Sequence, residues 1–150
     1  MNVEVVGKLV DALRSGRYTQ VHGYLKRQHE SDRRRNCHCV AGVLCEVLGV
    51  AWQRNLKSYD GESPVSFFAM DDAGRWDRHK IPPDWVRKAA GIQQGWQLNT
   101  HVNFPKPLVD AMEAMGQSPE ASGVTLFDLN DYGLTFPEIA DFLEQNAEEL

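Results

Sequence analysis

No apolar run in this sequence approaches the roughly 18 residues that a membrane-spanning helix requires. The first residues, MNVEVVGKLVDALRSG, lack the basic start and small-residue cleavage site of a secretory signal. Both absences point to a soluble, intracellular chain. Cysteine is scarce as well: there are three, all between Cys37 and Cys45, so no disulfide framework can be read from them and a reducing compartment is the simplest context. If Cys39 and Cys45 share a helix, six residues at about 1.5 Å each hold their Cα atoms roughly 9 Å apart, beyond disulfide reach. Internal repeats and low-complexity tracts are missing too.

Positive charge is missing from one part of the chain. Every Lys and Arg lies at or before Lys106, whereas residues 107–150 hold ten acids. The first 106 residues therefore carry about +5 and the remainder about −10, within an overall net charge of −5. Such asymmetry predicts an acidic face that repels nucleic acid and attracts a basic partner.

What is present reads as one globular domain over residues 1–150, with 42% apolar and 25% charged residues. Val6, Leu9, Val10 and Leu13 form a helical stripe closed by Gly16. Tyr18 to Leu25 reads as a short extended piece, and Lys26, Arg27 and Arg33 to Arg35 read as a basic, solvated loop. Val40, Ala41, Leu44, Cys45 and Leu48 predict a mostly buried helix ending at Gly49. Short aromatic and β-branched stretches from Ala51 to Trp76, VSFFAM among them, predict a small hairpin or meander with a turn at Asp72 to Gly74. IPPDWVRKAAG reads as a short helix, and residues 92–104 are ambiguous. FPKPLVDAMEAMG reads as a helix with Leu108, Val109, Met112 and Met115 inward. A linker at 117–123 leads to TLFDLNDYGLTFPEIADFLEQN, a helix, glycine turn and helix, in which Thr135 and Glu138 make a capping box and Ile139, Phe142 and Leu143 the buried stripe. The expected fold is α+β: about five helices around a small antiparallel sheet, with the cysteine-bearing helix central and a helical hairpin at the end.

Each candidate site competes with a simpler structural role. The terminal helix-turn-helix spacing fits a DNA reader, but its second helix offers Glu138, Asp141 and Glu144 and no cation to meet phosphate, so direct DNA binding is disfavoured. Cys37, Cys39, His38 and His29 lack the second spaced pair that zinc needs, with His101 the one distant ligand to consider, so no metal and no cofactor is assigned. A thiolate is favoured beside cations at a helix start, which makes Cys37 or Cys39 a candidate nucleophile, with His101 as base and Asn103 or Asp131 behind it. Cys45, on the apolar stripe, reads as core. His22 and His79 read as surface residues. The tryptophans Trp52, Trp76, Trp85 and Trp96 read as packing for the middle region, with a ligand groove or partner surface as the sharper alternative.

The segments ALRSGRYTQVHGYL, CVAGVLCEVLG, IPPDWV and LFDLNDYGLTFPEIADFLE occur here in an order that resembles a group of small proteins from tailed phages and prophages. That group carries ALRSGxYxQxxGxL, CCLGVLC, an LPP helix and a terminal LNDxGxSFxxIADxIE. Cys39 and Cys45 match the outer cysteines of CCLGVLC, while Val40 replaces the second, a departure that weakens a metal or redox reading. Asn130, Asp131, Gly133, Phe136, Ile139, Ala140 and Asp141 match the terminal motif, and residues 92–123 have no counterpart. The resemblance implies phage origin and action in the host cytoplasm. Together these features predict an accessory protein that binds and inhibits or redirects a host protein with a basic surface, for instance a defence system such as a CRISPR effector. Asp128, Asp131, Glu138, Asp141 and Glu144 would make the contacts. The alternatives are a cysteine-dependent hydrolase or transferase and a structural or assembly protein of the virion.

Overall fold

A computed structural model describes residues 1–55, 64–71, 73–78, 81–98, 103–119 and 123–150. Helix α1 spans Val3–Arg14, capped by the Asn2 side chain, which accepts from the Glu4 amide at 3.0 Å. Its buried face holds Val5, Val6, Leu9, Val10, Ala12 and Leu13, so the stripe legible in sequence is widened by two residues. Gly16 leaves the helix at φ 68°, a left-handed exit that glycine adopts without strain.

Two three-stranded sheets follow, where one was expected. The first contains β1 (Thr19–Gln20), β2 (Lys26–Gln28) and β3 (Asn36–His38) in the order β1-β3-β2. It is not wholly antiparallel, because β1 runs parallel to β3 while β2 pairs antiparallel. The basic segment is only partly a solvated loop: Lys26 and Arg27 lie in β2, with Arg27 opposite Cys37, whereas Arg33 to Arg35 form an exposed turn. The second sheet is the meander expected from VSFFAM, with β4 (Trp52–Arg54), β5 (Phe67–Met70) and β6 (Trp76–Arg78) antiparallel in chain order. A bridge between Arg27 and Ser66 joins the two sheets.

Helix α2 (Val40–Val47) is the most buried element, with Val40, Ala41, Gly42, Val43, Leu44 and Cys45 all inside. Gly42 has a specific reason to be glycine: a Cβ there would lie 1.7 Å from the Leu25 carbonyl oxygen. The helix therefore rests directly on backbone, and the Cys39 amide donates to that same carbonyl at 3.2 Å. Then come α3 (Asp84–Ala89), a 3-10 turn at Gln94–Trp96, α4 (Lys106–Ala114), α5 (Leu126–Asp131) and α6 (Phe136–Gln145). Six α-helices stand among the described residues, and the α5–α6 hairpin closes the chain.

Helix α1 packs along α6 and against α2, and α2 touches α5. Leu9, Leu44, Leu129, Ile139 and Leu143 are wholly buried at these contacts, each contributing about 1.5–3 kcal/mol of transfer free energy. Both hairpin helices are capped reciprocally: Thr125 with Asp128, and Thr135 with Glu138. Only the second box was foreseen. Met115 corrects the expected stripe of α4, because the helix ends at Ala114 and the chain turns away through Gly116. Leu108 and Met112 are buried, whereas Met115 is 68% exposed.

Candidate functional site

The cysteines take three different places. Cys37 lies in β3, Cys39 is the N-cap of α2, and Cys45 sits in the core. All three are free and buried. At Cys39 the helix start acts as expected, the Gly42 amide donating to Sγ at 3.4 Å. Burial nevertheless dominates and pushes the thiol up to about 12, with the Asp131 charge adding to it and the Gly42 and Ala41 amides only partly opposing. Burial also raises Cys37 despite Arg27 and Arg35, and drives Cys45 well above the ordinary thiol value. Burial thus disfavours the thiolate at both Cys37 and Cys39, the two positions weighed as candidate nucleophiles. His101 and His79 lie outside the described residues. Among the described residues, no group of three or more His, Cys, Asp and Glu side chains is placed to hold a metal.

The five acids expected on one binding face are distributed over three positions. Asp128 accepts from the Thr125 amide and hydroxyl at 2.6 and 2.7 Å, and Glu138 from those of Thr135 at 2.8 and 2.7 Å. Those contacts hold the Glu138 carboxyl below its usual range, the Thr135 amide most of all. Asp141 and Glu144 share Arg14 at 2.6 and 2.8 Å, which ties α6 to α1. Glu138 and Asp141 also rim a groove of about 260 Å³ whose apolar walls include Pro105, Pro107, Leu134 and Phe142. Asp131 faces elsewhere.

Asp131 belongs to a second concavity, of about 410 Å³, lined by Gly23, Tyr24, Cys39, Ile81, Gly95, Trp96, Phe127 and Asp131. Its walls come from the β1–β2 connection, the cap of α2, the 3-10 turn and α5. Trp96 and Phe127 pack with ring centroids 5.5 Å apart. Each of the segments ALRSGRYTQVHGYL, CVAGVLCEVLG, IPPDWV and LFDLNDYGLTFPEIADFLE contributes at least one wall residue.

A pair of amides, one buried and one half-buried, fixes this geometry. Asn130, with no exposed surface, donates from Nδ2 to the Val21 carbonyl and to Asp131 Oδ1, each at 3.0 Å, and accepts from Gln20 Nε2 at 3.1 Å. Gln20 in turn donates to the Leu134 carbonyl at 2.7 Å and accepts from the Phe136 amide at 3.1 Å. The first strand and the hairpin turn are therefore stitched together by side-chain amides with donors and acceptors matched. His22 Nδ1 lies 3.7 Å from Asp131 Oδ1 at the surface. Sequence reasoning raised Trp96 only as one of four tryptophans with a ligand groove as the alternative, and missed Tyr24, Phe127 and this Gln20–Asn130 pair; the signal it had was an Asn at a position that the α5 periodicity makes internal.

A family model described as a domain of unknown function, DUF8296, matches residues 1–147. The chain belongs to the DUF8296 family. No curated protein and no solved structure matches it. Among the described residues of this family member, no helix is long and apolar enough to cross a membrane.

Proposed function

We propose that this DUF8296 protein is a phage-encoded accessory protein that acts in the host cytoplasm by binding a host protein with a basic surface and inhibiting or redirecting it. The observation that supports this reading best is the groove rimmed by Glu138 and Asp141 over Pro105, Pro107, Leu134 and Phe142. An Arg or Lys side chain suits such a groove, its alkyl stem against the apolar walls and its cation at the carboxylates. The cap contacts and the Arg14 bridge orient these acids in advance, which lowers the ordering cost of binding. The protonated, buried thiols favour a binding role over cysteine-dependent catalysis.

The test is capture of host proteins on the tagged full chain at about 0.15 M and about 1 M salt, alongside the variant E138Q/D141N/E144Q. The amides keep hydrogen-bonding capacity while removing charge, and a thermal melt checks the fold. A stoichiometric partner retained at low salt, lost at high salt and weakened about tenfold or more by the variant is expected. A partner bound equally well by the folded variant overturns the assignment of this surface. Recovery of the protein in purified phage particles as a stoichiometric component overturns the accessory role.

A further inference from the structure

We propose that the cleft between Tyr24, Trp96 and Phe127 binds a small aromatic cation, a flat apolar ring carrying a protonated amine, with the amine seated against Asp131. The site is distinct from the groove at Glu138 and Asp141 and does not depend on it.

Size and shape come first. A concavity of about 410 Å³ falls within the roughly 300–1,000 Å³ of small-molecule sites, and five separate parts of the chain wall it. Its lining is aromatic and aliphatic apart from the Cys39 thiol and the Asp131 carboxylate. The thiol is protonated, so it offers a polarisable, uncharged surface. That leaves one formal charge among the described lining residues, and it is negative.

The aromatic wall is built at a conformational cost. Trp96 has φ 65°, the one non-glycine with positive φ among the described residues, and it follows Gly95 at φ 78°. A bulky residue in that region is held there by its surroundings. Here the Trp96 amide donates to the Gln93 carbonyl at 3.1 Å, Gln97 pairs with Thr125, and the Leu98 amide donates to Val124 at 2.7 Å. This framework places the indole against Phe127 on the cleft wall rather than releasing it into a relaxed turn.

The charge selects the ligand. Asp131 is about half exposed, with 47% of its side-chain surface open, and its Oδ1 accepts from Asn130 at 3.0 Å while His22 stays at 3.7 Å. The Asn130 contact fixes the carboxylate without supplying a countercharge. Among the described residues lining the cleft there is no Lys or Arg. Arg27 stacks on Tyr24 at 5.6 Å, but its guanidinium is paired with Glu30 at 2.8 Å. A ligand ammonium would find the carboxylate beside it, and the ligand's ring the indole and phenyl rings of the same cleft. A ligand carboxylate would be repelled.

The test is a ¹H–¹⁵N NMR titration of the full chain with three probes of one ring: 1-naphthylmethylamine, 1-naphthalenemethanol and 1-naphthoate. The amine is expected to shift the amides of Gly23, Gly95, Phe127 and Asp131 and to bind at least fivefold more tightly than the alcohol, with the naphthoate weakest. Asp131→Asn should bring amine and alcohol to equal affinity, and Ile81→Ser, at the 51% exposed rim, should weaken both. Absence of cleft shifts with all three probes at millimolar concentration overturns the site. Equal binding of amine and naphthoate, or an amine preference that survives Asp131→Asn, overturns the ligand class.

Discussion

Glu46 near the end of α2 is the hub of a partly buried ionic cluster, and replacing it with Gln tests how much that cluster contributes. Its Oε1 accepts from Lys26 Nζ at 2.7 Å and lies 3.1 Å from His38 Nε2, with side-chain exposures of 13% for Lys26, 26% for Glu46 and 6% for His38. Lys26 Nζ also sits 5.0 Å from the Trp52 ring and 5.2 Å from Phe67. Burial opposes ionisation of Glu46, but the hydrogen bonds from His38 and Lys26 outweigh it and hold the carboxyl down to about 2. Against an ordinary value of about 4.3, that depression corresponds to about 3 kcal/mol, and the solvent reaching a quarter of the side chain reduces it to about 1.5–2 kcal/mol. Because the folded value is the lower one, this stability is present above about pH 4.5 and is lost as pH falls toward 2, with roughly half gone by pH 3. Glu46→Gln should lower Tm by about 3–8 °C at pH 7, and the gap should fall to about half by pH 3 and close below about pH 2. Thermal melts of both proteins across that range measure it. A gap under about 1 °C at pH 7, or one that stays constant with pH, refutes the argument that this carboxylate carries the cluster.

Gly42→Ala should destabilise by about 3 kcal/mol or more, since the added methyl group meets the Leu25 carbonyl rather than a side chain that can rotate away; chemical denaturation reads it. Asn130→Ala should cost about 2–3 kcal/mol by stranding the Val21 carbonyl and Gln20 amide in the interior, and an increase in hydrogen exchange at the α5–α6 turn would distinguish this from a diffuse loss. Alkylation of the native protein at pH 6 should be slow at Cys37, Cys39 and Cys45 and rapid only after unfolding. A single fast-reacting thiol would reopen cysteine catalysis.

The helices were legible because their signal repeats: Val6, Leu9, Val10 and Leu13 in α1, and Ile139, Phe142 and Leu143 in α6, recur over several turns and end at glycines or caps. Of the strands, the β4–β6 meander was announced by VSFFAM, whereas β2 and β3 were not legible, since three residues cannot display an alternation. Lys26 looked solvated because its partners, Glu46 and the Trp52 and Phe67 rings, arrive from later segments. The acids were legible as a charge excess, but their dispersal was hidden: Asp128 and Glu138 serve caps, and Arg14 engages Asp141 across 127 positions. The cleft was illegible for a related reason, as Tyr24 and Phe127 meet only after folding. Residue type identified the thiols, and burial, which a local motif does not encode, set their chemistry.

The seating of α1 along α6 has a consequence for the order in which the molecule is made. The apolar side of α1 leaves the ribosome about 130 residues ahead of Phe142 and Leu143, which share its core. At about 5–20 residues per second, that interval is roughly 7–25 s. During it the nascent chain shows an uncovered Val-Leu ridge, a surface for trigger-type chaperones and proteases alike. Yield in the cell should therefore respond to translation speed more than the equilibrium stability of the finished protein would suggest.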